Sequence, residues 1–381
     1  IHITFNILKI NNILNKIKAA RGRASQGAAI GLDIGTSSIK LVWLQTSGAK
    51  KILKKSLVSP IPSGADLSSV LEGIVKSEGL KGRPVNVSLS GPAVVMRYIT
   101  LPLLTPEELK NTLQFEAKEY LPLPLEEMFL DCAILKEKPD EKKMSVLLAA
   151  VKKSAVSERL VLLEKAGLNP GIIDVDCLCI ANSFTVFTEE AAKKGPVALL
   201  NIGAKFTNMC ILEDGILNFS RDILFGGSDV TQKISSVYNI DLAKAEAMKL
   251  DPQKRVELLS ILEPLISHLS SEIRLAIDYY ENQSGLEVFK IFVSGGLSYS
   301  AGVLELLNSF LGVSARVFDI SAPSDIKPGP QAINTEQALS SKPQGQKIDY
   351  PMCLEFEDEA AKKEYTLKSN IYSVALGLAS R

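Results

Sequence analysis

A strand that breaks into a tight turn and returns as a second strand occurs twice in this chain, and that recurrence constrains the fold more than any other feature. The first copy is Gly31-Leu32-Asp33-Ile34-Gly35-Thr36-Ser37-Ser38-Ile39-Lys40-Leu41-Val42-Trp43. Apolar residues lead into Asp, Gly, Thr and Ser, and Ile39, Leu41 and Trp43 alternate on the way out. The second copy lies about 170 residues later, over 197–212, with Asn201-Ile202-Gly203-Ala204 standing where the first has Asp33-Ile34-Gly35-Thr36. Either copy alone reads equally well as an ordinary hairpin, because Asp-Ile-Gly-Thr is a short pattern. Two copies suggest an internal duplication, with two halves able to clamp a phosphate chain from both sides. A hairpin turn rich in Gly and hydroxyls directs several backbone N–H groups at one place, a phosphate cradle built without a helix N-terminus. Asp33 is placed to reach a Mg²⁺ ion through ordered water, since that ion keeps much of its hydration shell. Lys40 adds positive charge.

Composition narrows the remaining possibilities. At 381 residues the chain has room for two or three domains and a large core. Lys+Arg and Asp+Glu are both 43, so overall charge gives no argument for nucleic acid. No apolar run approaches the roughly 20 residues that a membrane span needs, and the opening residues carry no secretory signal pattern. Cysteines 132, 177, 179, 210 and 353 lie mostly in apolar runs, and Cys177-Leu178-Cys179 has the wrong spacing for a zinc knuckle. Buried reduced thiols are expected. His2 and His268 are too isolated for a histidine-based centre.

Taken in order, residues 1–29 read as a basic amphipathic segment, with Ile7, Ile10, Leu14 and Ile17 at helical spacing, running into a Gly22–Ala29 linker. It could touch an anionic membrane or a partner, or be a solvated terminus. Strand patterns follow at 50–59 and 85–90, around a helix at 67–77. Residues 85–170 read as a compact inserted α+β unit, with strands at 97–102, 129–135 and 144–151. Its first helix opens at Thr105-Pro106-Glu107-Glu108, an N-cap with Pro at N1 and Glu at N3. After the second hairpin, Phe219–Phe225 leads to Gly226-Gly227, followed by helices at 228–238 and 242–250. Glu246 and Lys249 sit three apart on one face of the latter. A long helix is expected from 254 to 283. Ile291–Ser294 breaks into Gly295-Gly296-Leu297, where glycines let a flat ring approach the backbone. Residues 320–362 read as an exposed loop, and 369–379 as a closing apolar helix.

Two phosphate hairpins, a Gly-Gly turn suited to adenosine, and an insert between the halves resemble the actin-like ATPase superfamily. Within it, residues 31–40, Phe115-Glu116-Ala117-Lys118-Glu119-Tyr120-Leu121-Pro122 and the ending Val374–Ala379 are most similar to the PilM family of type IV pilus assembly, itself similar to FtsA. The resemblance covers about residues 28–381. It implies an α/β fold of two duplicated RNase H-like domains around a nucleotide cleft. Subdomain 1A would span 30–84 and 171–195, an FtsA-like 1C insert 85–170, subdomain 2A 196–227 and 291–381, and 2B 228–290. ATP with Mg²⁺ would lie between the halves. By position, Asp33, Gly35, Thr36, Ser37, Ser38 and Lys40 would form the first phosphate loop, and Asn201, Gly203, Ala204 and Thr207 the second. Gly226 and Gly227 would flank the phosphates, Glu246 and Lys249 would lie near ribose and base, and Gly295, Gly296 and Leu297 would pack on adenine. Asp33 would hold the metal.

One departure bears on chemistry. Asn201 stands where actin-like ATPases commonly carry Asp, and an amide supplies neither negative charge nor a base. No other residue in the sequence stands out to position an attacking water. ATP binding with weak or absent hydrolysis is therefore expected, and no catalytic residue is assigned. The family resemblance implies a cytoplasmic scaffold, peripheral at the inner membrane through its partner. That partner is a PilN-like inner-membrane protein gripped by its N-terminal peptide, of pattern Ile-x-Ile-Asn-Leu-Leu-Pro. Ile3-Thr4-Phe5-Asn6-Ile7-Leu8 looks like the same pattern, a match that six apolar-rich residues also reach by accident. The alternatives are an FtsA-like membrane-associated filament protein, or a kinase-like enzyme of the actin and sugar-kinase superfamily.

Overall fold

The structure, a computed structural model, describes residues 27–47, 50–318, 354–356, 362, 365 and 369–381. The basic segment expected before Gly27, nearly all of the loop expected over 320–362, and Cys353 lie outside the described residues.

β1 (Ala28–Ile34), β2 (Ser38–Ser47) and β3 (Lys50–Pro60) form an antiparallel meander. α1 (Leu67–Ser77), whose N-cap Asp66 accepts from the backbone N–H of Ser68 and Ser69, leads to β4 (Pro84–Leu89), parallel to β1. The chain then leaves this sheet for β5 (Val94–Pro102), α2 (Pro106–Tyr120), β6 (Met128–Lys138) and β7 (Lys143–Lys152). These strands make a separate antiparallel sheet in the order β5-β7-β6. α2 carries the expected capping box, with Thr105 and Glu108 bonded reciprocally. Its Leu109, Leu113 and Ala117, one turn apart, pack on Ile99, Leu101, Val146 and Leu148 of that sheet.

α3 (Lys153–Lys165) and β8 (Asn169–Val175) return to the first sheet, where β8 lies parallel to β4. The insert is accordingly shorter than the expected 85–170. β4 and β8 both belong to the first sheet, and α3 buries Val156, Leu160 and Leu163 in the same core. α4 (Asp176–Phe187) comes next, a helix without a periodic signal in the sequence.

The second half contains β9 (Pro196–Ile202), β10 (Thr207–Glu213), β11 (Ile216–Ile223), α5 (Gly227–Tyr238), α6 (Leu242–Leu250), α7 (Arg255–Ser284), β12 (Lys290–Ser294), α8 (Val303–Leu311) and β13 (Ala315–Val317). α7 buries Leu258, Leu262, Leu269, Ile273 and Ile277, the stripe its periodicity predicts. β14 (Leu354–Phe356) adds to the edge of β3, and α9 (Ser373–Ala379) closes the chain on the first half.

The two large sheets share one topology. The first runs β14-β3-β2-β1-β4-β8 and the second β11-β10-β9-β12-β13. In each, an antiparallel meander is followed by two strands parallel to its first member. The hairpins are copies in detail as well. Gly35 N–H donates to Ser38 O at 3.1 Å, and Gly203 N–H donates to Phe206 O at 3.0 Å.

α4 and α9 form the layer beside the first sheet. Gly31 and Gly377 allow it, because a Cβ on Gly31 would overlap Ala375 O and one on Gly377 would overlap Cys179 O. One apolar core runs from the first sheet through α4 to Val197, Leu199, Cys210, Leu212 and Phe292 of the second half. A second core lies wholly within the second half. Cys177, Cys179 and Cys210 are buried free thiols, as expected, while Cys132 is half-buried.

Candidate functional site

Asp33 and Lys40 are cross-strand partners one step back from the first hairpin turn, and their side chains form an ion pair at 3.0 Å. Asp33 is almost wholly buried, at 8% exposure. The Lys40 ammonium lies beneath Gly35, 3.0 Å from where a Cβ there would sit. Thr36 and Ser37 are exposed at the tip, and the Ser38 carbonyl closes the turn. Charge and open backbone thus share one small surface.

The second hairpin repeats this frame with different chemistry. Asn201 and Asn208 occupy the cross-strand positions of Asp33 and Lys40, and Asn201 Nδ2 donates to Asn208 Oδ1 at 3.3 Å. Gly203 and Ala204 form the turn. Gly227 N–H donates to Gly203 O at 2.9 Å and Ser228 N–H to Ala204 O at 2.8 Å, so the start of α5 is fastened to it. Gly226 is obligatory there, since a Cβ would run into Ala204 O. Thr207 departs from its expected place in the loop. It is fully buried and its hydroxyl donates to Phe225 O at 2.9 Å, bracing the approach to Gly226 instead of facing a ligand.

The remaining expected residues converge on the same helix start. Lys249 Nζ donates to Glu246 Oε2 at 2.6 Å, Thr231 Oγ1 at 2.9 Å and Gly227 O at 3.2 Å. Burial draws this ammonium below its ordinary pKa, against the opposing pull of Glu246. A Cβ on Gly227 would lie 3.9 Å from the Leu297 side chain, so the Gly295–Leu297 turn abuts the group. Gly295 has φ +93° and its Cβ position overlaps Ile202 O, which ties this turn to the second hairpin. Gly296 is exposed with open space before it.

Asp176, in the first turn of α4, was not legible in the sequence. It is half-buried, and its pKa is pushed up to about 6, first by desolvation and then by the nearby Asp33 carboxylate. Ser88 and Ser90 side chains hydrogen-bond it, opposing that shift. Arg159 of α3 feels both Asp176 and Asp33. The structure therefore sets a carboxylate of raised pKa near Asp33, hydrogen-bonded by Ser88 and Ser90, where the sequence pattern offers no base. Because its folded pKa exceeds the unfolded value near 3.9, native Asp176 costs stability progressively as pH rises from about 4 to about 6. Asp176→Asn is expected to raise the thermal midpoint at pH 7 and to leave it nearly unchanged at pH 4. A variant equally destabilised at both pH values would contradict this reading.

Among the described residues no three His, Cys, Asp or Glu side chains gather into an all-protein metal site. Mg²⁺ does not need one, being held by phosphates, water and one or two carboxylates. Asp33 fits that donor set. The glycine-lined turns and the Lys249 cluster fit a nucleotide.

Duplicated sheets of this topology, each opened by a glycine hairpin, define an actin-like fold. The sequence profile of the family described as type IV pilus assembly protein PilM matches residues 31–341. The chain belongs to that family. Among solved structures, a PilM–PilN type IV pilus biogenesis complex superposes with a TM-score of 0.74 at 24% identity, covering 93% of this chain and 98% of that one. The ethanolamine utilization protein EutJ from Carboxydothermus hydrogenoformans gives 0.48 at 17% identity, covering 80% and 92%. MreB5 of Spiroplasma citri bound to AMPPNP gives 0.43 at 12% identity, covering 77% and 92%.

Proposed function

We propose that this pilus assembly protein is an ATP-binding scaffold that grips the N-terminal peptide of a PilN-like inner-membrane protein. The observation that carries the nucleotide half is the matched pair of glycine turns, one charged by Asp33 and Lys40, the other fastened to the Gly226–Gly227 helix start and the Lys249 cluster. Asp33, Gly35, Thr36, Ser37, Ser38 and Lys40 would hold phosphate and Mg²⁺ from one side, and Asn201, Gly203, Ala204, Gly226 and Gly227 from the other. Glu246, Lys249, Gly295, Gly296 and Leu297 would take ribose and base. Bound Mg·ATP would supply the phosphoanhydride. The chain's own contribution is to orient it and, through Asp176, to accept a proton.

The peptide half rests on membership of the family and on the similarity to a relative solved as a PilM–PilN complex. Among the described residues no helix is long and apolar enough to cross a membrane. Membership of the family and the similarity to a PilM–PilN complex support assigning the membrane link to the partner, with the protein peripheral on the cytoplasmic side.

Calorimetric titration with Mg·ATP, with phosphate release followed on the same sample, tests the nucleotide half. Binding with slow release is expected, because Asn201 leaves the second turn without a carboxylate. Absence of any heat of binding would sink the nucleotide reading. A labelled synthetic peptide of the pattern Ile-x-Ile-Asn-Leu-Leu-Pro, titrated by fluorescence anisotropy, tests the other half.

A further inference from the structure

The two hairpins differ in one respect that the duplication does not require. In the first, the rung behind the turn is a closed ion pair between Asp33 and Lys40. In the second it continues across the sheet and out of it. Ser294, Asn201, Asn208 and Asp222 sit at one level on β12, β9, β10 and β11. Ser373 Oγ of α9 donates to Ser294 Oγ at 3.1 Å, and the one Ser294 hydroxyl hydrogen is shared between Leu200 O at 3.1 Å and Asn201 Oδ1 at 3.4 Å. Asn201 Nδ2 donates to Asn208 Oδ1, and Asn208 Nδ2 donates to Asp222 Oδ1 at 2.8 Å. The other oxygen, Asp222 Oδ2, accepts from the backbone N–H of Gly91 at 2.8 Å, in the first half.

This chain of donors needs amides. An amide accepts and donates at once, whereas a carboxylate only accepts and can only end a series. Asn201, which reads as a loss of charge, is what lets the rung pass through β9. Aligned hydrogen bonds of this kind polarise one another.

Gly91 opens the short turn Gly91–Ala93 that leads directly into β5 of the insert. Its φ is +69°, and a Cβ would lie 3.2 Å from the ring of Phe206, the last residue of the second turn. Further along β5, Tyr98 Oη donates to Ser220 Oγ at 3.1 Å, and Ser220 Oγ contacts Met96 Sδ at 3.5 Å. The second hairpin and its neighbour β11 thus hold the root and first strand of the insert. A cavity of about 650 Å³ beside this junction, lined by Gly91, Met96, Phe206, Asn208, Ser220 and Asp222 among others, leaves room for it to move.

We propose that Asp222 is a clasp joining the second nucleotide hairpin to the insert, so that filling the cleft changes the mobility of β5 and α2. The nucleotide arm of this inference rests on the ATP-binding reading. A ligand biases a conformation only by interacting differently with its two states. Here the differential contact is the position of the 203–208 turn, which Asn208 and Phe206 pass to Asp222 and Gly91.

Hydrogen exchange on the full chain, with and without Mg·ATP, reads the clasp. In the wild type, nucleotide should slow exchange over residues 91–120. In Asp222→Asn, which keeps the shape but sets an NH2 group against one of its two donors, calorimetric binding should persist while that slowing falls at least about twofold. Without nucleotide, the same variant should exchange faster than wild type over residues 91–99. Tyr98→Phe, which removes the second tie and no bulk, should weaken the response in the same direction. No heat of binding would defeat the nucleotide reading and leave the ligand-free comparison to judge the clasp. Binding with no change over 91–120, or unaltered ligand-free exchange in Asp222→Asn, would overturn the clasp.

Discussion

Gly377→Ala is expected to lose about 3 kcal/mol of stability or more, the upper end of overpacking penalties. The added methyl meets Cys179 O, a backbone atom of α4. α9 cannot retreat from it, because on its other side Ala375 O already rests where Gly31 has no side chain. Two helices and a strand are therefore stacked through two glycines, and neither contact has a flexible side chain to yield. Gly73→Ala is the control. That glycine is exposed in α1 with nothing near its Cβ position, and the change should be neutral or stabilising by about 0.5–1 kcal/mol. Chemical denaturation of both variants decides the matter. Equal midpoints would mean that α9 has room the structure does not show.

Asp33→Ala is expected to weaken Mg·ATP binding at least about tenfold, roughly 1.4 kcal/mol, measured by calorimetry. The substitution removes the carboxylate proposed to order the metal's water. It also leaves Lys40, half-buried beneath Gly35, without its ion-pair partner. The lone ammonium could then swing onto phosphate, which limits the loss for metal-free nucleotide. The decisive comparison is thus ATP with and without Mg²⁺. A loss confined to the Mg²⁺ complex supports the placement of the metal, and unchanged affinity in both would refute it.

What was legible in the sequence was local chemistry. The turn at Gly35 announces itself by residue type, the Thr105–Glu108 box by its spacing, and α7 by a stripe that repeats every turn. α4 was not legible for a physical reason. Asp-Cys-Leu-Cys-Ile-Ala-Asn-Ser-Phe-Thr-Val-Phe is buried on nearly every side, so no polar face marks a helical period. The insert's limits were missed because strand partners are not written into a strand. Val85 and Val87 pair with residues of β8 more than eighty positions away.

The candidate site divides the same way. Asp33, Lys40, Gly226 and Lys249 carry their signals in nearby residues. Asp176 owes its raised pKa to burial and to the distant Asp33, and Asp222 owes one partner to the distant Gly91 and the other to Asn208 on the neighbouring strand. Asn208 alone had a usable clue, since it holds the position of Lys40 in the repeat.

The unequal division of the apolar interior has a mechanical consequence. Most of the second half is built on an interior of its own, but the first half shares its interior with the inner strands of the second by way of α4. The joint between them is therefore no pin turning in a socket. It is a flexure, a web of continuous material that moves by elastic bending and has no free play. Such a joint limits travel, springs back when the load is removed, and transmits small displacements between the halves without slack.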